Sequence, residues 1–190
     1  MKGAKLQKVA KDAPRGWPEE VHRLLREHAI RQVAIVPDAG HAQLIRLCEA
    51  DTAMRVVRLT SEEQGVALLA GAWLGGEKGV LLMQSSGVGN CINMLSLNAS
   101  CSFPLLMLVT MRGDHGEFNP WQIPMGQASQ EVLEAMGVIV MRADTPAEVA
   151  VTVRGALGLA FNGQRAVAVL IGQKVLGAKD FRELTHSVPE

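Results

Sequence analysis

Six short, continuously apolar runs recur along the 190-residue chain, at 32–36, 54–59, 79–84, 104–110, 138–141 and 166–171, with stretches of helical pattern between them. A strand that is apolar at every position has no face to offer to water, so it must be covered on both sides. The intervening stretches, 18–30, 41–49, 61–74, 89–100, 129–136 and 146–161, supply that cover. Strict alternation with short connections implies right-handed crossovers and one parallel sheet between two helical layers. The expected fold class is α/β, a three-layer αβα arrangement with about six parallel strands.

Local chemistry supports several boundaries. Thr145-Pro146-Ala147-Glu148 combines an N-cap, a proline at the first helical position and a capping-box glutamate. Gly75-Gly76 and Gly137 stand where helices should stop. The expected organisation is a flexible N-terminal tail over 1–16, one folded domain over 17–173 and a C-terminal extension over 174–190. A hydrophobic share of 48% is ample for a large core and excludes a mainly disordered chain. The 19 basic and 19 acidic residues cancel, and no Lys/Arg run forms a phosphate-tracking stripe, which argues against nucleic acid as a partner. Cys48, Cys91 and Cys101 are odd in number and lack CxxC spacing, so they read as free thiols of a reducing compartment, with no metal site. The basic, polar start lacks the apolar core of a signal peptide, and no apolar stretch approaches the ~20 residues of a bilayer span. A cytoplasmic protein with no membrane partner is expected.

One connection breaks the regular pattern. Residues 111–127 carry Gly113, Gly116, Pro120, Pro124 and Gly126, and a long loop after a strand's carboxyl end is where open α/β sheets place ligand chemistry. Familiar signatures fail nearby. Gly87-Val88-Gly89-Asn90-Cys91-Ile92 has Ile where a dinucleotide fingerprint needs a third Gly or Ala, and it follows the third strand, not the first. Residues 71–76 have P-loop spacing, but Glu77 stands where Lys is required. Ser85-Ser86-Gly87 is not a nucleophile elbow. Two segments remain. In Thr60-Ser61-Glu62-Glu63-Gln64-Gly65, Glu63 either forms a capping box with Thr60 or points into the dry surroundings of the apolar helix that follows. In 84–90 the glycines make either a plain strand-to-helix turn or a close backbone approach to a flat ligand.

The order SEEQGVALLAGAWLGGEKGVLLMQSSGVGN, then FPLLMLVTMRGD, resembles the pyrimidine-binding domain of thiamine-diphosphate enzymes, and the likeness runs from about residue 32 to 172. The segment MRGDHGEFNPWQIPMGQA is similar to the free-standing alpha subunits of sulfopyruvate decarboxylase and to phosphonopyruvate decarboxylase. The resemblance implies that Glu63 sets its carboxyl beside the aminopyrimidine N1′ of the cofactor, with Glu62 its solvated neighbour. It implies that Gly87, Val88 and Gly89 pack the pyrimidine. Arg112, Asn119 and Gln122 would contact substrate and His115 would relay a proton, while His41, just after a strand's end, would reach the same rim. The remaining histidines, His22, His28 and His186, read as solvated.

The family's Gly-Asp-Gly motif, which holds Mg²⁺ and the diphosphate on a second domain, has no counterpart here, since Gly113-Asp114 is followed by His115. The resemblance therefore implies an alpha subunit completed by a diphosphate-binding beta subunit, with a homodimer contact between alpha chains as well. The implied reaction is decarboxylation of 3-sulfopyruvate to sulfoacetaldehyde and CO₂. Alternatives are a phosphonopyruvate or other 2-oxo acid decarboxylase or carboligase half-enzyme, or a non-catalytic module that kept the fold.

Overall fold

The structure, a computed structural model, describes residues 16–177. Six strands run parallel in one sheet: β1 (Ile30–Ile35), β2 (Arg55–Arg58), β3 (Lys78–Gln84), β4 (Leu105–Thr110), β5 (Ile139–Ala143) and β6 (Ala166–Ile171), in the order β2-β1-β3-β4-β6-β5. The expected αβα class is thus the observed one. Successive side chains of a strand point to opposite faces, and here each face has its own core. Val33, Ile35, Val80, Leu82, Leu106, Leu108, Val167 and Val169 face one layer; Ala34, Leu81, Met83, Leu105, Met107, Val109 and Ala168 face the other.

The first layer is α1 (Trp17–Glu27), α2 (Ala42–Ala50) and α7 (Pro146–Phe161). The second is α3 (Glu63–Leu74), α4 (Ser85–Cys91), α5 (Leu95–Cys101) and α6 (Ile123–Ala135). α7 opens with the expected capping box at Thr145 and Glu148 and with Pro146 in its first turn. Gly75 caps α3, and Gly137 after α6 takes φ +78°. Cys48, Cys91 and Cys101 are free; burial pushes the Cys48 and Cys91 thiols up to about 12, while Cys101 is exposed.

Two helix expectations need correction, and one expected domain edge falls inside an element. The helix read at 89–100 is two short helices: α4 follows Gln84 without a loop, and the chain breaks at 92–94 before α5. Ser-Ser-Gly-Val-Gly-Asn is poor helix sequence, and burial of Val88 and Cys91 overrides that weak propensity. The helix read at 129–136 begins earlier, at Ile123, with Pro124 in its first turn. The irregular connection therefore ends at a 3₁₀ turn, Pro120–Gln122, that leads straight into α6. Last, the domain edge expected at residue 173 falls on the first residue of α8 (Gln173–Leu176). The expected tail over 1–16, all but residue 16, and most of the expected extension, residues 178–190, lie outside the described residues. Among the described residues no helix is long and apolar enough to cross a membrane.

The sheet order creates a crevice. From β1 the chain leaves to β2 on one side and returns to β3 on the other, so the carboxyl ends of β1 and β3 diverge at a topological switch point. The loop after β4 folds down over the same rim, where Gly126 allows the start of α6 to lie directly against it. A Cβ at residue 126 would stand 1.8 Å from the Arg112 carbonyl oxygen. Gly126→Ala is therefore expected to lower the unfolding free energy by about 2–3 kcal/mol, as overpacking against rigid backbone does. Urea unfolding of the purified chain measures this; a midpoint equal to wild type would show that α6 can retreat without cost.

Candidate active site

Two clusters of polar side chains sit along the carboxyl ends of the strands. The first lies between α3 and α4. Positions 65, 66 and 69 of α3 are buried against the sheet, and helical spacing puts residue 62, three and four positions earlier, on that same face. Glu62 is accordingly turned inward and only 7% exposed. Its Oε2 accepts a hydrogen bond from Asn90 Nδ2 at 2.8 Å. The carboxylate lies over Gly87, where a Cβ would come within 2.3 Å of Oε1. Glu62 Oε1 accepts no hydrogen bond from the described residues. A buried carboxylate with one oxygen unclaimed by the described residues, over a helical glycine, fits a flat heterocycle that offers a ring nitrogen.

Glu63 is placed differently from expectation. It is the first residue of α3 and half-buried, and its Oε2 accepts the Ser61 hydroxyl, which holds its pKa below the usual carboxylate value. It forms no capping box, since Thr60 donates instead to Gln64 Oε1. The cause is the ~100° rotation between successive helical residues: burying Glu62 turns Glu63 away. The burial expected of the two glutamates is exchanged, and the buried set 62, 65, 66, 69 is the sequence signal that distinguishes them. Gly87 lies against the Glu62 carboxylate, and Gly89 stands beside Met125. The Val88 side chain is fully buried in the core.

The second cluster lies at the switch point. Asp38, after β1, takes a Gln84 Nε2 hydrogen bond on Oδ1 at 3.0 Å. Its Oδ2 accepts the Thr110 hydroxyl and, at 3.1 Å, the Gly40 N–H. One carboxylate thereby ties together the ends of β1, β3 and β4. A cleft with about 480 Å³ of empty space opens beside it, walled by Asp38, Thr110, Arg112, Phe118 and Gln173 among others. Arg112 is the expected substrate residue that the structure brings into this wall.

The other expected substrate residues stand elsewhere. His41 is the N-cap residue of α2 and wholly buried, with Nδ1 3.7 Å from Asp38 Oδ2 and neither ring nitrogen hydrogen-bonded among the described residues. It lies behind Asp38 and does not reach the rim. Its burial, which outweighs the Asp38 charge, pulls its pKa down to about 4, so it is neutral near pH 7. Asn119 caps the 3₁₀ turn, its Oδ1 accepting the Trp121 N–H at 3.2 Å. Gln122 precedes α6, with its Oε1 buried and unpaired among the described residues. His115 is exposed on the loop, its backbone N–H donating to Gln173 Oε1 at 3.1 Å. Sequence reading missed Asp38, Gln84, Asn90, Thr110, Glu117 and Gln173, which are ordinary polar residues until the fold assembles them. Among the described residues no three His, Cys, Asp or Glu side chains are grouped to hold a metal.

The chain belongs to the family described as thiamine pyrophosphate enzyme, N-terminal TPP binding domain, matched over residues 19–134. Among its relatives is the sulfopyruvate decarboxylase subunit alpha of Methanococcus maripaludis, 34% identical over 154 residues, which span 80% of this chain and 92% of that protein. The protein of the same name from Methanothermobacter thermautotrophicus is 32% identical, over 80% of this chain and 93% of its own length. A phosphonopyruvate decarboxylase of Streptomyces viridochromogenes is 36% identical over 55% of this chain and 27% of that protein. The fold is shared with 2-oxoglutarate:ferredoxin oxidoreductase from Magnetococcus marinus, at a TM-score of 0.64 and 15% identity, over 85% of this chain and 29% of that one.

His41 sets a pH dependence. Its ordinary pKa of 6.5 applies to the unfolded chain and about 4 to the folded one. The unfolded state therefore binds the proton more readily, and stability present above pH 6.5 is lost progressively as pH falls toward 4. His41→Leu is expected to flatten this limb of the stability–pH curve measured by urea unfolding; an unchanged limb would assign the titration to another group.

Proposed function

We propose that this chain is the alpha subunit of a split thiamine-diphosphate-dependent 2-oxo acid decarboxylase. The reaction is 3-sulfopyruvate to sulfoacetaldehyde and CO₂, and a diphosphate-binding beta subunit completes the site. The observation that carries the reading is Glu62, buried over Gly87 and oriented by Asn90. When bound, thiamine diphosphate supplies the carbon nucleophile for the keto carbon and the sink for the electron pair that CO₂ leaves behind. Glu62 Oε1, unclaimed by the described residues, would share a hydrogen-bonded proton with the ring nitrogen of the bound cofactor. Asn90 fixes the carboxylate plane through Oε2, leaving Oε1 for the ligand. Arg112, in the cleft wall, receives an oxyanion of the substrate. His115, exposed on the loop above, is placed to exchange a proton with solvent.

Two observations support a second polypeptide. Asp114, the acid of the chain's lone Gly-Asp pair, is engaged within this chain by Arg142 Nη2 and the Gln173 N–H and is followed by His115, not by the second Gly of a Gly-Asp-Gly motif. The relatives from Methanococcus and Methanothermobacter are themselves named as alpha subunits.

Assembly with a chain bearing Gly-Asp-Gly should produce decarboxylation of sulfopyruvate that neither chain shows alone, read as CO₂ release. Turnover by this chain unaided would overturn the split-site reading. In that assembly Glu62→Gln is expected to slow turnover by roughly 10²-fold or more, as loss of a proton-transfer group does. Glu63→Gln, at a surface position, should stay within about three-fold of wild type. The opposite pattern would return the role to Glu63.

A further inference from the structure

The strongest unassigned group in the molecule is Glu117. It does not line the cleft, yet it organises the residue that does. Its carboxylate receives the Arg112 guanidinium side-on, Nε to Oε2 at 2.5 Å and Nη2 to Oε1. Oε2 also accepts the Gly113 N–H at 3.2 Å and Gln173 Nε2 at 2.9 Å, and Oε1 accepts the Asn119 N–H at 2.9 Å. Five donors converge on one side chain that is 3% exposed, against 16% for Arg112. The Phe118 ring, 5.3 Å from the guanidinium carbon, covers a face of the same cation.

Side-on pairing uses Nε and one proton of Nη2. It leaves Nη1, and the other Nη2 proton, without a partner among the described residues. Arg112 itself walls the cleft beside Asp38 and Thr110. An unclamped arginine on a glycine-rich loop would sample many rotamers and lose that freedom on binding. We propose that Glu117 is the positioning residue of the substrate cleft: it fixes Arg112 so that the end-on edge of the guanidinium meets an oxyanion of the 2-oxo acid. This rests on the reading of the cleft as the substrate site. Gln173 extends the clamp to the end of β6, because its Oε1 accepts the N–H groups of Asp114 and His115 while its Nε2 reaches Glu117.

The geometric half is tested on the chain alone by ¹⁵N–¹H spectra of Arg112. Wild type should show resolved Nη1 and Nη2 protons and an Nε–H protected from exchange. Glu117→Gln should average and expose them, and Glu117→Asp should restore part of the protection. A freely averaging guanidinium in wild type, or one still ordered in Glu117→Gln, overturns the proposal whether or not the variant is fully stable. The functional half is read in the enzyme assembled with its beta subunit. Glu117→Gln should raise KM for the 2-oxo acid about ten-fold with kcat within about two-fold, and adding it to Arg112→Gln should raise KM no further. A fall in kcat at constant KM, or additive effects, overturns it. If the assembly decarboxylates no 2-oxo acid, the functional reading fails, and the spectra still decide whether Glu117 positions Arg112.

Discussion

A parallel sheet sheathed on both faces leaves its polar chemistry to the strand ends, and here three of those ends are held by one carboxylate. Asp38 accepts hydrogen bonds from Gln84, at the end of β3, and from Thr110, at the end of β4, while standing just after β1 itself. These strands are neighbours only because the chain reverses its direction of travel after β2. The crevice opened by that reversal would splay without a crosslink, since strand ends beyond the last ladder bond have no backbone partner. Asp38 supplies the crosslink and sets the distance between the walls within which Arg112 and Phe118 stand.

The groove carboxylate depends on a subtraction instead. Gly87 lies on α4, directly under Glu62, and the carboxyl group occupies the volume that any other residue's Cβ would take. α4 also carries Asn90, one turn further on, which donates to Glu62. One short helix therefore makes both the floor of the groove and the group that orients its acid. That the helix survives with two glycines in seven residues reflects the core beneath it, where Val88 and Cys91 are fully buried. Packing, not propensity, holds it.

How much was legible in the sequence follows from what each feature depends on. β3, β4 and β6 were readable because burial on both faces leaves a nearly unbroken apolar run, and β6 was placed to the residue. Thr145, Pro146 and Glu148 marked the start of α7 because a cap is decided by neighbours in the chain. Features that depend on distant partners were hidden. The break between α4 and α5 and the early start of α6 arise from tertiary packing. The choice between Glu62 and Glu63 required the phase of α3, which the buried positions 65, 66 and 69 carry and a motif comparison alone does not. Glu117 looked like one more loop acid, and only the fold brings Gln173, 56 residues away, to its side.

The pairing of Arg112 with Glu117 has an electrical consequence. The one cation among the described residues of the cleft wall is neutralised at contact distance, Asp38 adds a negative charge beside it, and buried His41 contributes none near pH 7. Over the whole chain, 19 basic residues balance 19 acidic ones. A doubly negative acid diffusing toward this rim is therefore not drawn in by it; recognition begins only at touching range. Long-range steering of an anion, and the salt sensitivity that accompanies it, does not arise from these groups.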